Sequence, residues 1–273
     1  MKLKFTKMNG LGNDFMVVDW PAGRPMPGAE LVRRWSDRRL GVGFDQLLLL
    51  TAEPPAGGDA GYRVFNADGG EVEQCGNGVR CLAGFLAPRF GSELTLVSAA
   101  GPIEARVLSA DRASVNLGVP DFRPASLPFT APEERLRYRV QVGADTVELG
   151  AVSMGNPHAV IPVESVDRAP VGTLGPQLER HSSFPRGVNV GFMQRESDRR
   201  IRLRVFERGA GETLACGTGA AAAVAVGRRW GELADEVDVS LPGGVLKVTW
   251  PGPGSALWQT GAVSAVYEGQ IEL

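Results

Sequence analysis

The stretch Arg204–Ala223, RVFERGAGETLACGTGAAAA, decides how the rest of the chain is read. A strand-like run, Arg202 to Phe206, meets a loop broken by Gly209, Gly211, Gly217 and Gly219, and an alanine-rich helix is expected from Ala220. Cys216 therefore sits where a strand-to-loop passage turns into a helix N-terminus. Backbone N–H groups at such a point lack intrahelical partners and carry partial positive charge. An anion is stabilised there, either a substrate carboxylate or the sulfur itself as thiolate. Taken alone, the pattern also fits a tight glycine turn beside a buried structural cysteine.

The stretch occurs twice. At a shift of 141 positions RVFNADGGEVEQCGNG (Arg63–Gly78) lies on RVFERGAGETLACGTG (Arg204–Gly219) without a gap. Arg63 falls on Arg204, Phe65 on Phe206, Glu71 on Glu212 and Cys75 on Cys216. Upstream, GNDFMVV (Gly12–Val18) echoes GNPHAVI (Gly155–Ile161) at a shift of 143. Two halves built alike, each presenting a cysteine at one structural point, form a pair related by approximate two-fold symmetry. Two facing thiols, one to remove a proton and one to return it, need that arrangement; a structural cysteine seldom does.

At 273 residues the chain suits two domains of roughly 130 residues. Its 43% apolar and 22% charged content is ordinary for a soluble protein with a substantial core. A net charge of −2 supplies no basic field, so neither nucleic acid nor an anionic membrane is an expected partner. No apolar run reaches the ~18 residues of a membrane span, and MKLKFTKMNG lacks a signal-peptide core. Three cysteines separated by 5 and 134 residues fit neither a disulfide framework nor a zinc pattern. Reduced thiols in a cytoplasmic protein are expected.

In chain order, the loop MNGLGND leads to a strand over 15–19, and apolar residues at helical spacing predict a helix over 28–39. The turn GVGFDQ and the strand LLLLT follow, then a loop over 53–61. A strand over 62–65 enters the first cysteine loop and a helix over 79–90 leaves it, with strands at 93–98, 103–108 and 113–117. Four prolines between Gly118 and Pro132 mark an inter-domain crossing. The second half repeats the programme: strands at 137–142, 146–152 and 159–163, a helix over 171–181, strands at 188–194 and 201–206, then the Cys216 loop and its helix to Trp230. Three late strands follow at 236–241, 245–250 and 261–267.

The expectation is an α+β fold of two pseudo-symmetric domains. Each is a curved, mostly antiparallel sheet or barrel wrapped around a central helix. Residues 1–118 form the half carrying Cys75 and 119–262 the half carrying Cys216, with strand 263–273 a candidate to return to the first.

A thiol of pKa ~8.5 is only a few per cent thiolate at neutral pH, so a cysteine base needs its pKa lowered, and a helix N-terminus offers that. Gly76 and Gly78, like Gly217 and Gly219, let N–H groups converge on a carboxylate. Cys81 falls mid-helix opposite Ala222 and reads as structural. Glu207 and Arg208, opposite Asn66 and Ala67, read as a structural ion pair or as partners of a substrate ammonium and carboxylate. Asn13, Gln46, Asn66, Asn77, Asn156 and Asn189 lie in glycine-flanked loops, as turn residues or as ligands of a polar, doubly charged small molecule. His158 beside the repeated loop is a candidate to tune a thiol.

KMNGLGNDF, GVGFDQLL, FNADGGEVEQCGNGVRC, GNPH, GVNVGF and FERGAGETLACGTGAAAA, in that order along nearly the whole chain, resemble the motif series of diaminopimelate epimerase. The resemblance implies a cofactor-independent, two-thiol epimerase converting LL- to meso-diaminopimelate, in lysine and cell-wall precursor biosynthesis. It implies a cleft between the domains and catalysis by Cys75 and Cys216. It further implies substrate contacts at Asn13, Gln46, Asn66, Gly76, Asn77, Asn156, Asn189, Glu207, Arg208, Gly217 and Thr218, with His158 and Glu207 modulating thiol pKa. No metal is implied, the only partner is the small amino-acid substrate, and a homodimer is a candidate assembly. The family usually has His where Asn9 stands, and often Cys where Ala222 stands.

A proline or hydroxyproline racemase also sets two cysteines on a duplicated fold, but Glu207-Arg208 and the amides suit a longer acyclic substrate. A redox-switch binding protein using Cys75 and Cys216 is the alternative outside catalysis. GLGND lacks the third glycine and the strand–turn–helix context of a dinucleotide site.

Overall fold

The run KLKFTKMNG turns Leu3 and Phe5 inward and leaves Lys2 and Lys4 in solvent, the period-two pattern of a half-buried strand. In the computed structural model, which describes residues 1–51 and 57–273, this run is strand β1 (Lys2–Gly10). The chain divides into two units, Met1–Asn116 with Thr260–Leu273, and Leu117–Gln259.

In the first unit β2 (Asn13–Asp19) pairs antiparallel with β1 across the two-residue turn Leu11-Gly12. Both turn residues have positive φ, 60° and 82°, which matches the twist of the flanking strands. Helix α1 (Ala29–Ser36) buries Val32 and Trp35. β3 (Gln46–Leu50) runs parallel to β2, β4 (Ala60–Asn66) antiparallel to β3, and β5 (Glu71–Val72) closes a short hairpin on β4. Helix α2 (Gly76–Phe90) follows, then β6 (Glu93–Ser98) parallel to β4, and β7 (Gly101–Ser109) and β8 (Arg112–Asn116) as an antiparallel meander. Helix α2 packs on β8, β6, β7 and β1 and buries Val79, Leu82, Ala83 and Leu86.

The second unit repeats this order after β9 (Tyr138–Val142). β10 (Asp145–Ser153) pairs antiparallel with β11 (Pro157–Pro162); after α3 (Val171–Glu179), β12 (Asn189–Arg195) runs parallel to β11 and β13 (Arg200–Glu207) antiparallel to β12. β14 (Gly211–Thr213) closes the hairpin on β13 before α4 (Gly217–Arg229). β15 (Glu236–Leu241) lies parallel to β13 and β16 (Gly244–Thr249) antiparallel to β15. Ala220–Ala225 are fully buried on β10, β11, β12 and β16, because side chains this small let sheet backbone close around the helix. β17 (Trp258–Ala262) leaves the unit, and β18 (Ser264–Glu272) runs antiparallel along β1, with Lys2 opposite Glu272.

The architecture is thus α+β; among the described residues β2–β3, β4–β6, β11–β12 and β13–β15 run parallel, and the other strand pairs named above run antiparallel. Among the described residues no helix is long and apolar enough to cross a membrane.

Several expectations change. Much of the expected loop MNGLGND is strand, at the end of β1 and the start of β2. Helices α2 and α4 start three residues earlier than predicted, because the glycines after each cysteine belong to the first turn. The single late strand expected at 261–267 is two strands broken at Val263. Of the loop placed at 53–61, residues 53–56 lie outside the described residues and 60–61 already belong to β4. The proline-rich 118–132 segment packs within the second unit, where Leu127 and Phe129 join the core and Asp121 bridges Ser153.

Candidate active site

The two cysteine loops hang from identical hairpins. Phe65 faces Glu71 in β4–β5 and Phe206 faces Glu212 in β13–β14, the same register displaced by 141. Across each hairpin an arginine grips the glutamate with two nitrogens. Arg204 Nε and Nη2 donate to Glu212 at 2.6 and 2.9 Å; Arg63 Nε donates to Glu71 at 2.6 Å, with a second, shorter bond from Nη2. Half-exposed pairs of this kind contribute at most about 1 kcal/mol, so their effect is geometric. They hold the loop ends at a fixed separation.

From that frame each chain segment enters a helix with its cysteine as the N-cap residue in extended conformation, φ −142° at Cys75 and −108° at Cys216. Gly219 shows why the third position after the cysteine carries no side chain. A Cβ there would stand 2.9 Å from Val205 and 3.2 Å from the Cys216 sulfur. At Gly78 a Cβ would stand 3.1 Å from Leu48. Both helices therefore approach their sheets closely enough to bury their first turns.

In the first unit Asn13 opens β2, Gln46 opens β3 and Asn66 ends β4, so the fold brings three predicted amides to neighbouring strand ends. Gln46 Nε2 donates to Asn66 Oδ1 at 2.8 Å. Asn13 Oδ1 and Gln46 Oε1 are shut from solvent without a hydrogen-bond partner among the described residues. A buried acceptor left unsatisfied costs about 1–3 kcal/mol, which a ligand N–H would offset. Gly76 and Asn77 form the start of α2, where the fully buried Arg80 donates to Asn77 Oδ1 at 2.6 Å. Cys75 is half-buried, whereas Cys81 is fully buried and its thiol is pushed up to about 12 by that burial, as a structural cysteine should be.

In the second unit the corresponding strand ends carry His158 and Asn189, which are register partners as Phe15 and Gln46 are in the first. Asn189 Nδ2 donates to Pro157 O at 3.0 Å, and its Oδ1 accepts the Arg208 N–H at 2.9 Å. Asn156 Oδ1 lies 2.9 Å from His158 Nε2, and Asn156 Nδ2 lies 3.4 Å from Thr218 Oγ1, itself 3.7 Å from the Cys216 sulfur. Gly217 begins α4.

Two expectations are corrected here. Glu207 and Arg208 do not pair with each other: Glu207 Oε1 accepts the Thr213 hydroxyl, and Arg208 Nη1 donates to Arg186 O at 3.0 Å. Second, Cys216 is not an acidified thiol. Burial pushes it well above the ordinary cysteine value and the charge and hydrogen bonding of Glu207 push it further; the Gly219 N–H and Thr218 hydroxyl pull back only in part. His158, the candidate to tune a thiol, reaches Cys216 through Asn156 and Thr218. Burial holds it down at about 3, helped by the Arg208 charge, so its ring is neutral.

Sequence reasoning missed Gln259, fully buried, whose Nε2 donates to Gly217 O at 2.6 Å and so supports the first turn of α4. It also missed Lys7, Arg38 and the two aspartates inside GNDF and GVGFDQ. An aspartate directly beside Asn13 and another beside Gln46 were the signal available.

The chain matches the family model described as diaminopimelate epimerase over residues 5–123 and 150–266. It belongs to the diaminopimelate epimerase family. The diaminopimelate epimerase of Alkalilimnicola ehrlichii is 51% identical over the full length of both chains, and that of Pseudomonas aeruginosa 49%. Among solved structures, a hydroxyproline epimerase from Agrobacterium vitis superposes with a TM-score of 0.71 at 17% identity, covering 99% of this chain and 92% of that one. A PhzF-family phenazine biosynthesis protein from Bacillus anthracis gives 0.68 at 15%, covering all of both. Those two likenesses describe the fold. As a diaminopimelate epimerase family member the chain is an isomerase-class enzyme of lysine biosynthesis.

Proposed function

We propose that this epimerase inverts one α-carbon of diaminopimelate with Cys75 and Cys216 as a two-thiol acid–base pair, without a cofactor. The observation that carries the reading is the placement of both cysteines as N-caps of equivalent helices, on hairpins of identical register. One thiolate takes the α-proton and leaves a carbanion delocalised into the carboxylate; the other thiol gives its proton to the opposite face. Each turnover thus exchanges which sulfur is protonated. The first-turn N–H groups at Gly76–Asn77 and Gly217–Thr218 suit the α-carboxylate, where negative charge grows as the proton leaves.

The raised Cys216 favours it as the protonated member in the empty enzyme. Asn13, Gln46, Asn66, Asn156, Asn189, Glu207 and Arg208 are read as holding the ammonium groups and the distant carboxylate. Glu207 modulates the Cys216 thiol directly and His158 through its neighbours. The same reading puts the protein in the cytoplasm, where cysteine thiols stay reduced. It also has the enzyme act as a homodimer.

The test is to incubate the purified enzyme with LL-diaminopimelate alone and follow the meso isomer by chiral chromatography. Turnover without pyridoxal phosphate or added metal is expected. No conversion of diaminopimelate, with turnover of proline or hydroxyproline instead, would overturn the substrate assignment.

A further inference from the structure

Beside two of the three candidate amides at the strand ends of the first unit stands an aspartate, Asp14 after Asn13 and Asp45 before Gln46. The two loops trade carboxylates and amides: Asp45 N–H donates to Asp14 Oδ1 at 2.9 Å, and Asp14 N–H to Asp45 Oδ2 at 3.1 Å. One guanidinium closes the ring. Arg38, in the turn after α1, donates through Nη1 and Nη2 to both oxygens of Asp14 at 2.9 Å, and through Nη2 to Asp45 Oδ1 at 2.8 Å. From the buried side Lys7 Nζ reaches Asp14 Oδ2 at 2.5 Å and also donates to the Gly43 carbonyl.

Nothing of this kind stands at the matching places of the second unit. The positions equivalent to Asp14 and Asp45 are Pro157 and Val188, both buried, and Asn189 there is tied to the Pro157 carbonyl instead. One unit thus fixes its strand-end residues by packing and a backbone bond, and the other by charge. The two carboxylates are also unlike. Asp14 is held well below the usual carboxylate range because hydrogen bonds from Arg38 and Lys7 outweigh its burial, whereas burial raises Asp45. A lone aspartate pair would repel; the cations make it a clasp.

We infer that Arg38, Asp14 and Asp45 form a positioning clasp that sets Asn13 and Gln46 at the separation substrate requires. The buried, unpartnered oxygens of Asn13 and Gln46 lie next to the clasp in sequence, and rigid support is what keeps such acceptors from turning to other partners. Arg38 touches no reacting atom in this reading; it is a positioning residue. The inference rests on the assignment of those amides to substrate binding.

The experiment compares wild type with Arg38→Gln, Arg38→Lys and Gln46→Ala, measuring kcat and KM for LL-diaminopimelate and backbone hydrogen exchange without substrate. Arg38→Gln should raise KM about tenfold while kcat changes less than about threefold, since geometry, not chemistry, is disturbed. Exchange should quicken at residues 12–15 and 44–47 and nowhere else. Arg38→Lys keeps the charge without the fork and should recover only part of the loss. Raised KM in Gln46→Ala with an unchanged KM in Arg38→Gln would overturn the clasp alone. An unchanged KM in Gln46→Ala would overturn the amide assignment and, with it, the purpose of the clasp. Unchanged exchange at both loops in Arg38→Gln would overturn the clasp whatever the kinetics.

Discussion

The Nε2 of His158 stands 2.9 Å from Oδ1 of Asn156, with the imidazole wholly buried. A neutral ring donates its Nε2–H to that oxygen, which turns the Asn156 amide nitrogen toward Thr218 and so toward Cys216. The histidine aims an amide without charging the thiol.

That neutrality has a stability consequence. The folded ring protonates only near pH 3, whereas an unfolded one does so near 6.5. Between these values the unfolded chain binds more protons, so stability falls as pH drops through the window and is unaffected by this group above it. The slope approaches about 1.4 kcal/mol per pH unit well below 6.5. Urea unfolding at pH 7 and pH 5 should show His158→Gln losing less stability than wild type. Equal losses would mean that His158 is not buried neutral.

Cys75→Ala and Cys216→Ala should each abolish epimerisation while circular dichroism and melting stay near wild type. Cys81→Ala should remain active, since its buried thiol lies within helix α2 and outside the repeated loop position. Substantial turnover by either of the first two variants would remove the two-thiol mechanism.

Burial is the main cause that raises Cys216, and Glu207→Gln removes the charge that adds to it. Alkylation of Cys216 by iodoacetamide at pH 8, followed by peptide mass spectrometry, should accelerate by roughly threefold for each unit its pKa falls. Cys75 serves as the internal reference and should not change. If Cys216 reacted at the wild-type rate, its protonation would be set by burial alone.

In deuterium oxide, product isolated early should carry deuterium at the inverted centre while recovered substrate stays nearly unlabelled. A thiol that takes the substrate proton returns it to the same face, and the other thiol delivers a proton acquired from solvent. Early product retaining much of the original hydrogen would indicate a single base crossing the carbon.

The repeat made the fold legible because a gapless shift through Arg63–Gly78 forces equal hairpins, and the register bears that out at Phe65–Glu71 and Phe206–Glu212. β1 escaped because its alternation is carried by lysines against Leu3 and Phe5, in a run considered only for a signal-peptide core. The helix starts escaped because Gly76-Asn77-Gly78 and Gly217-Thr218-Gly219 look like loop on propensity, yet the closeness of sheet and helix requires glycine inside the first turn. At the site, residue types located the amides. They could not reveal that Glu207 turns to Thr213 and Arg208 to Arg186, because adjacent residues in a strand end point to different faces. The elevated Cys216 was also illegible, since burial outweighs the helix terminus and burial is a property of packing.

The paired clamps Arg63–Glu71 and Arg204–Glu212 make the two thiol loops exchangeable parts in one gauge. Segments 66–70 and 207–211 have the same length between the same fastenings, so the residues between them differ while the frame does not. A gene duplicated in this form can alter the charge beside one thiol, as Asn66 and Glu207 now differ, while the partner loop keeps its own tuning. Ancestral symmetry then survives in the frame while specialisation accumulates in what the frame carries.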